Sequence, residues 1–145
     1  MTERNDRMVA AAKKYFEELD GGRIPTELFA ADVEFFFPKF GIGRGLDELG
    51  QLGMGLYSAG LRMQHHRDRL NYIVGGSHVV VEGATEGHDG AGHSWKGGET
   101  PGGRFCSTFD FDDQGLIKRM YIYLDPDYTS ADQDRFRWKR AAPRW

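Results

Sequence analysis

The sequence predicts an α+β domain in which a curved antiparallel sheet wraps around N-terminal helices. Apolar residues recur at helical spacing early in the chain and alternate with period two through most of its later two thirds. Helices interrupted by one strand come first, consecutive antiparallel strands come after them, and Phe105 to Asp125 reads as a closing hairpin.

That hairpin, FCSTFDFDDQGLIKRMYIYLD, is rich in aromatic and β-branched residues and turns at Asp112-Asp113-Gln114-Gly115. Side chains alternate along a strand, so Arg119, Tyr121, Tyr123 and Asp125 share one face of its second half. Lys118, Met120, Ile122 and Leu124 share the other. A guanidinium, two phenols and a carboxylate therefore project together, as a polar pocket wall or as a wet outer face. The apolar Met120, Ile122 and Leu124 are compatible with a dimer contact.

In chain order, Asn5 or Asp6 can cap a first helix with apolar positions Val9, Ala12, Phe16 and Leu19, bordered by Tyr15 and stopped by Gly21-Gly22. Pro25, Glu27, Leu28 and Phe29 signal a second, short helix ending near Ala31-Asp32. Val33 to Pro38 has strand chemistry, and residues 39–45 (KFGIGRG) read as a bend or bulge. Leu46, Leu49, Leu52 and Leu56 then predict a third helix, with Asp47 and Glu48 suited to the positive end of its dipole. Its Gly50, Gly53 and Gly55 each cost about 1 kcal/mol against alanine, which points to close packing against a neighbour.

Met63 to Val74 reads as one strand, with His66, Asp68, Leu70, Tyr72 and Val74 turned to the core and His65, Arg67, Arg69, Asn71 and Ile73 turned away. Gly75-Gly76-Ser77 leads into a strand over His78 to Gly87, and a glycine-rich connection over residues 89–103 carries Trp95. That connection matches no phosphate-binding pattern and reads as a lid over a pocket mouth, with Trp95 as its apolar tip. Residues 1–127 form one domain. Residues 128–145 form a C-terminal extension in which Ser130 and Gln133 have capping-box spacing, followed by a short basic cluster from Arg135 to Arg144.

Composition narrows the function. With 145 residues, 39% hydrophobic and 28% charged, the chain suits a single globular domain, and no apolar run reaches the roughly 18 residues of a membrane span. The N-terminal stretch lacks the apolar core of a secretory signal, so a cytoplasmic location is expected. A formal net charge of −3 with interleaved signs gives no footprint for nucleic acid. The lone Cys106 can form neither an internal disulfide nor a cysteine-based zinc site, and neither metal nor other cofactor is expected.

The order YFEELDGGRIPTELFAADVEFFFP, GRG before a helix, VVVEG and FDFDDQGLIKRMYIYLDP resembles the nuclear transport factor 2-like superfamily, particularly its SnoaL-like branch, over roughly residues 5 to 127. The resemblance implies a cone of bent sheet closed by helices (a cystatin-like α+β barrel), an apolar internal pocket and a homodimer. Family members include ketosteroid isomerases, scytalone dehydratase, limonene epoxide hydrolase, polyketide cyclases and non-enzymatic modules, so the fold alone does not choose a function. Tyr15 matches the oxyanion-holding tyrosine of ketosteroid isomerases. Their general-base aspartate is Phe37 here, and its protonated partner falls near Ser107, which argues against steroid isomerisation by that mechanism. By analogy with SnoaL-like cyclases, Asp125 and His66 can supply the acid-base pair.

The catalytic candidates are thus Asp125 as base, with His66, Tyr15 and Asp68, in a cofactor-independent cyclisation, isomerisation or dehydration of an apolar carbonyl or polycyclic substrate. Candidate substrate contacts are Phe37, Tyr57, Trp95, Arg104, Phe109, Arg119, Tyr121 and Tyr123. Two alternatives stay open. One is a non-catalytic ligand-binding or protein-interaction domain, and the other is epoxide hydrolysis with Asp68, Arg119 and Asp125 holding a water.

Overall fold

The structure, a computed structural model, describes residues 2–125 and 127; the C-terminal extension with its capping box and basic cluster lies outside the described residues. Helix α1 (Glu3–Asp20) is capped by Thr2, whose hydroxyl accepts from the Asn5 amide at 3.2 Å, one turn earlier than Asn5 or Asp6 would allow. It buries Met8, Ala12, Tyr15 and Phe16. The expected second helix is only a 3-10 turn, Thr26–Leu28, because strand β1 (Phe29–Phe37) starts early. Phe29 already pairs with Ile117, so the sheet ladder takes the backbone groups a longer helix would have used.

Strand β2 (Gly41–Arg44) folds back on β1, and helix α2 (Gly45–Ser58) follows directly. The stretch expected as one strand from Met63 to Val74 is broken: β3 (Arg62–His65), a 3-10 turn (Arg67–Arg69) and β4 (Asn71–Gly75) replace it. The turn resets the alternation. Leu70, Tyr72 and Val74 therefore do not predict which face His65 and His66 occupy.

Strand β5 (His78–His88) is long enough to serve two neighbours on each edge. Its first half pairs with β4 and with β7 (Arg104–Phe111), and its second half pairs with β3 and with β6 (Ser94–Lys96). Gly83 sits at the changeover, where a Cβ would collide with the Leu70 side chain. Strand β8 (Ile117–Leu124) closes the hairpin with β7 and runs parallel to β1, the parallel pair in an otherwise antiparallel sheet ordered β2-β1-β8-β7-β5-β3. The sheet's inner face carries Val33, Val79, Val81, Phe109, Phe111 and Met120 against α1, and burial of this apolar surface is the main driving force for the fold.

Among the described residues, no helix is long and apolar enough to cross a membrane.

Candidate functional site

Between the inner sheet face, α1 and α2 lies a cavity of about 820 Å³, a figure that includes the open space at its mouth. Its wall is apolar, built from such residues as Phe16, Phe37, Leu49, Leu52, Trp95 and Phe105. The polar side chains on it are Tyr15, His65, Thr85 and Ser107, with Arg104 at the border. Thr85 is already occupied: its hydroxyl donates to the Gly103 carbonyl at 3.3 Å and accepts from the Trp95 indole N–H at 2.9 Å.

His65 is the chemically distinctive group. Its Nδ1 lies 2.6 Å from Asp20 Oδ1, and both side chains are buried, 6% and 3% exposed. The same carboxylate accepts from the His65 backbone amide at 3.1 Å and meets Arg67 Nε at 3.2 Å. Gln64 Nε2 adds a bond to the Asp20 carbonyl at 2.9 Å. A carboxylate at a helix C-terminus opposes the dipole, and this set of donors offsets the opposition. A deprotonated Asp20 only accepts, so Nδ1 carries the proton and the neutral ring's lone pair falls on Nε2. The imidazole is wedged between Phe16 and Phe105, ring centroids 4.8 and 5.1 Å away, and both of those rings line the cavity. This is the arrangement of an oriented general base at an apolar wall.

Tyr15 stands on the same helix five residues before Asp20. Its ring packs edge-on against Phe16, Phe29 and Phe109, and no hydrogen bond among the described residues uses its hydroxyl. Burial, reinforced by the Asp20 charge, pushes its phenol well above the ordinary value, so it stays a proton donor.

The other sequence candidates are dispersed. Asp125 is exposed at the end of β8, and its carboxylate accepts from the Asp127 amide at 2.9 Å, a turn cap rather than a pocket base. Asp68 is 79% exposed in the 3-10 turn. His66 is buried, but it is not part of the cavity wall, and its Nε2 lies 3.6 Å from Glu86. Arg119, Tyr121 and Tyr123 occupy the outer sheet face: Arg119 lies over the Tyr121 ring at 4.3 Å, and the Tyr121 hydroxyl donates to Glu34 at 2.6 Å. That bond, then Arg44, holds the Glu34 carboxyl below its usual range. Asp68, Arg119 and Asp125 therefore do not converge around a water. Conversely, Met120, Ile122 and Leu124 border the cavity on the inner face of the sheet.

Tyr57 is exposed on α2 beneath the Arg62 guanidinium, 3.7 Å from its ring centre. Phe109 is fully buried behind Tyr15 and Phe16. Phe37, Trp95 and Arg104 do border the cavity, although strand alternation turns the Arg104 side chain outward with Cys106 and Thr108. Trp95 is no lid tip: it is 3% exposed, paired in β6 and bonded to Thr85, a fixed part of the wall. Among the described residues, no group of three or more His, Cys, Asp and Glu side chains could hold a metal ion.

Sequence reasoning passed over Asp20, turned His65 away from the core, and met Ser107 only near the position of the protonated aspartate of ketosteroid isomerases, where it read a lost donor. Asp20 continues the Met8, Ala12, Phe16 row, one step of four residues further along a buried helix face. Met63, the apolar residue of β3, sets the parity that puts His65 inside.

Comparison with known proteins places this geometry. No family model and no curated protein matches the sequence. Among solved structures, a proposed polyketide cyclase from Xanthomonas campestris pv. campestris superposes with TM-score 0.75 at 18% identity, covering 89% of this chain and 98% of its own. An NTF2-like protein from Anabaena variabilis gives 0.68 at 20% identity, covering 86% and 94%. An LEH-like epoxide hydrolase from M. tuberculosis gives 0.63 at 16% identity, covering 90% and 92%. The chain has the nuclear transport factor 2-like fold. At these identities the likeness fixes the architecture, and the site must speak for the chemistry.

Proposed function

We propose that this protein is a small-molecule enzyme that moves a proton on an apolar, oxygen-bearing substrate without a cofactor. The observation that carries the reading is the Asp20–His65 bond at the wall of an apolar cavity. His65 Nε2 removes a proton next to a carbonyl, Asp20 holds the ring and stabilises the imidazolium, and Tyr15 donates to the developing enolate oxygen. Protonation elsewhere on the enolate gives isomerisation, loss of a β-hydroxyl gives dehydration, and attack on an internal electrophile gives cyclisation. The structural likeness to a proposed polyketide cyclase is consistent with this class.

The test needs no knowledge of the natural substrate. An apolar cyclic ketone such as 1-tetralone, incubated with the protein in D2O, should exchange its α-hydrogens for deuterium, followed by NMR. His65→Gln should abolish the catalysed exchange while ketone affinity persists. A ketone that binds the wild-type protein but never exchanges would make this a binding module.

A second reading concerns assembly: two copies associate through the outer sheet face. Ile73, Val80, Thr108, Tyr121, Phe36 and Ile42 stand directly opposite one another from β4 through β5, β7, β8 and β1 to β2. This row has an isoleucine at each end and a polar-aromatic centre, so a two-fold axis near Thr108 and Tyr121 sets each end on the other copy's opposite end. In the flanking row the same axis sets Asp110 of each copy against Arg119 of the other, a pair of opposite charges.

A further inference from the structure

A single hydroxyl interrupts the inward row of β7. Phe105, Ser107, Phe109 and Phe111 share that face, and Ser107 stands opposite Val81 on one neighbouring strand and Ile122 on the other. It is 2% exposed and borders the cavity, and no hydrogen bond among the described residues uses its Oγ. Among the described residues, the side-chain polar atom that is both sealed and unpartnered is His66 Nδ1. The Ser107 hydroxyl is therefore open to the cavity rather than sealed inside the wall.

Burying a hydroxyl among phenylalanine, valine and isoleucine without a partner costs its desolvation, and an alanine would line this wall without that cost. The partner is to be sought in what occupies the cavity. Tyr15 offers a second such hydroxyl: its ring lies 5.4 Å from that of Phe109, two residues along β7 from Ser107.

We propose that Ser107 is a substrate-positioning and specificity-determining residue whose hydroxyl bonds an oxygen atom of the ligand inside the cavity. The site then selects oxygenated apolar rings, cyclic ketones and their enol or phenol counterparts, over hydrocarbons of the same shape. The inference rests on the cavity of the proposed function as the ligand site, but it needs no proton transfer.

The experiment compares binding of 1-tetralone and of tetralin, its hydrocarbon counterpart, by calorimetry on the full chain. Each affinity is referred to the compound's partition between water and alkane. In the wild type the ketone should be favoured; Ser107→Ala should weaken it 5- to 20-fold while leaving tetralin unchanged or tighter, and Ser107→Thr should restore most of the difference. The ligand-free Ser107→Ala protein should melt no lower than wild type, which separates lost recognition from lost folding. Equal losses for both compounds, or an unchanged ketone affinity, would overturn the inference.

Its failure can be told apart from that of the proton-transfer reading. His65-dependent deuterium exchange with a wild-type ketone preference in Ser107→Ala removes Ser107 and leaves the base in place. Ser107-dependent preference without any exchange does the reverse. Failure of both compounds to bind at their solubility limits overturns both.

Discussion

Asp20 and His65, 45 positions apart in the chain, are joined by a 2.6 Å hydrogen bond that ties the end of α1 to β3 at the wall of the cavity. The carboxylate is held from three directions, by the His65 ring, the His65 amide and Arg67. Such over-determination fixes an imidazole within the small tolerances that proton transfer requires. The bond is also a structural staple, since it closes the helix against the sheet.

These two roles separate in the Asp20→Asn variant. The amide keeps the shape but turns one acceptor into a donor facing the Arg67 and His65 N–H groups, so ring orientation and imidazolium stabilisation both suffer. Deuterium exchange should fall by roughly 10²-fold or more, with ketone affinity within a few-fold of wild type. Stability should drop by about 1–3 kcal/mol in urea unfolding. An unchanged exchange rate in a folded Asp20→Asn protein would remove the dyad from the mechanism.

How legible the site was depended on how local its determinants were. The closing hairpin, its Asp112–Gly115 turn and the alternation along β8 were readable because strand period and turn chemistry are written in adjacent residues. The face that β8 turns inward was not readable, because aromatic phenols suit a pocket and a wet surface equally. The His65-His66 choice failed on one turn, Arg67–Arg69, whose charged residues look like strand and break the register. Asp20 was passed over because an acid beside a Gly-Gly helix stop looks like a solvated terminus; its partners arrive from β3, far along the chain. Ser107 was legible only as a departure from the aspartate of ketosteroid isomerases; that its hydroxyl borders the cavity shows only in the fold.

Tyr15→Phe should lower the exchange rate by about 10- to 10³-fold, the range for one donor to a developing oxyanion. The same residue leaves a mark on stability. Below the ordinary phenol value of 10.0 both folded and unfolded chains hold the proton, so Tyr15 contributes no pH dependence there. Above it the unfolded chain releases the proton while the buried phenol keeps it, and stability falls by up to about 1.4 kcal/mol per pH unit. Urea unfolding at pH 9 and pH 11 should show a smaller loss in Tyr15→Phe than in wild type. Equal losses would mean that Tyr15 ionises as readily folded as unfolded.

Asp125→Asn is the informative control. The side chain sits outside the cavity and caps a turn through the Asp127 amide, which an asparagine carbonyl can also accept. Exchange rate and ketone affinity should match wild type, with a stability change within about 0.5 kcal/mol. Loss of exchange in this variant would place the base on β8 and displace His65.

Self-association through the outer row is tested at its centre, where a two-fold axis brings each copy's Thr108 close to the other's. Thr108→Arg introduces a charge that meets its own symmetry mate, a repulsion that cannot be relieved while the row stays buried. Thr108 is only partly buried and points away from the cavity, so the fold and the site should be untouched. Sedimentation of the wild type should give a dimer and that of Thr108→Arg a monomer, both retaining deuterium exchange at equal chain concentration. A wild-type monomer at all concentrations, or a dimer indifferent to the arginine, would mean that this face is not the contact.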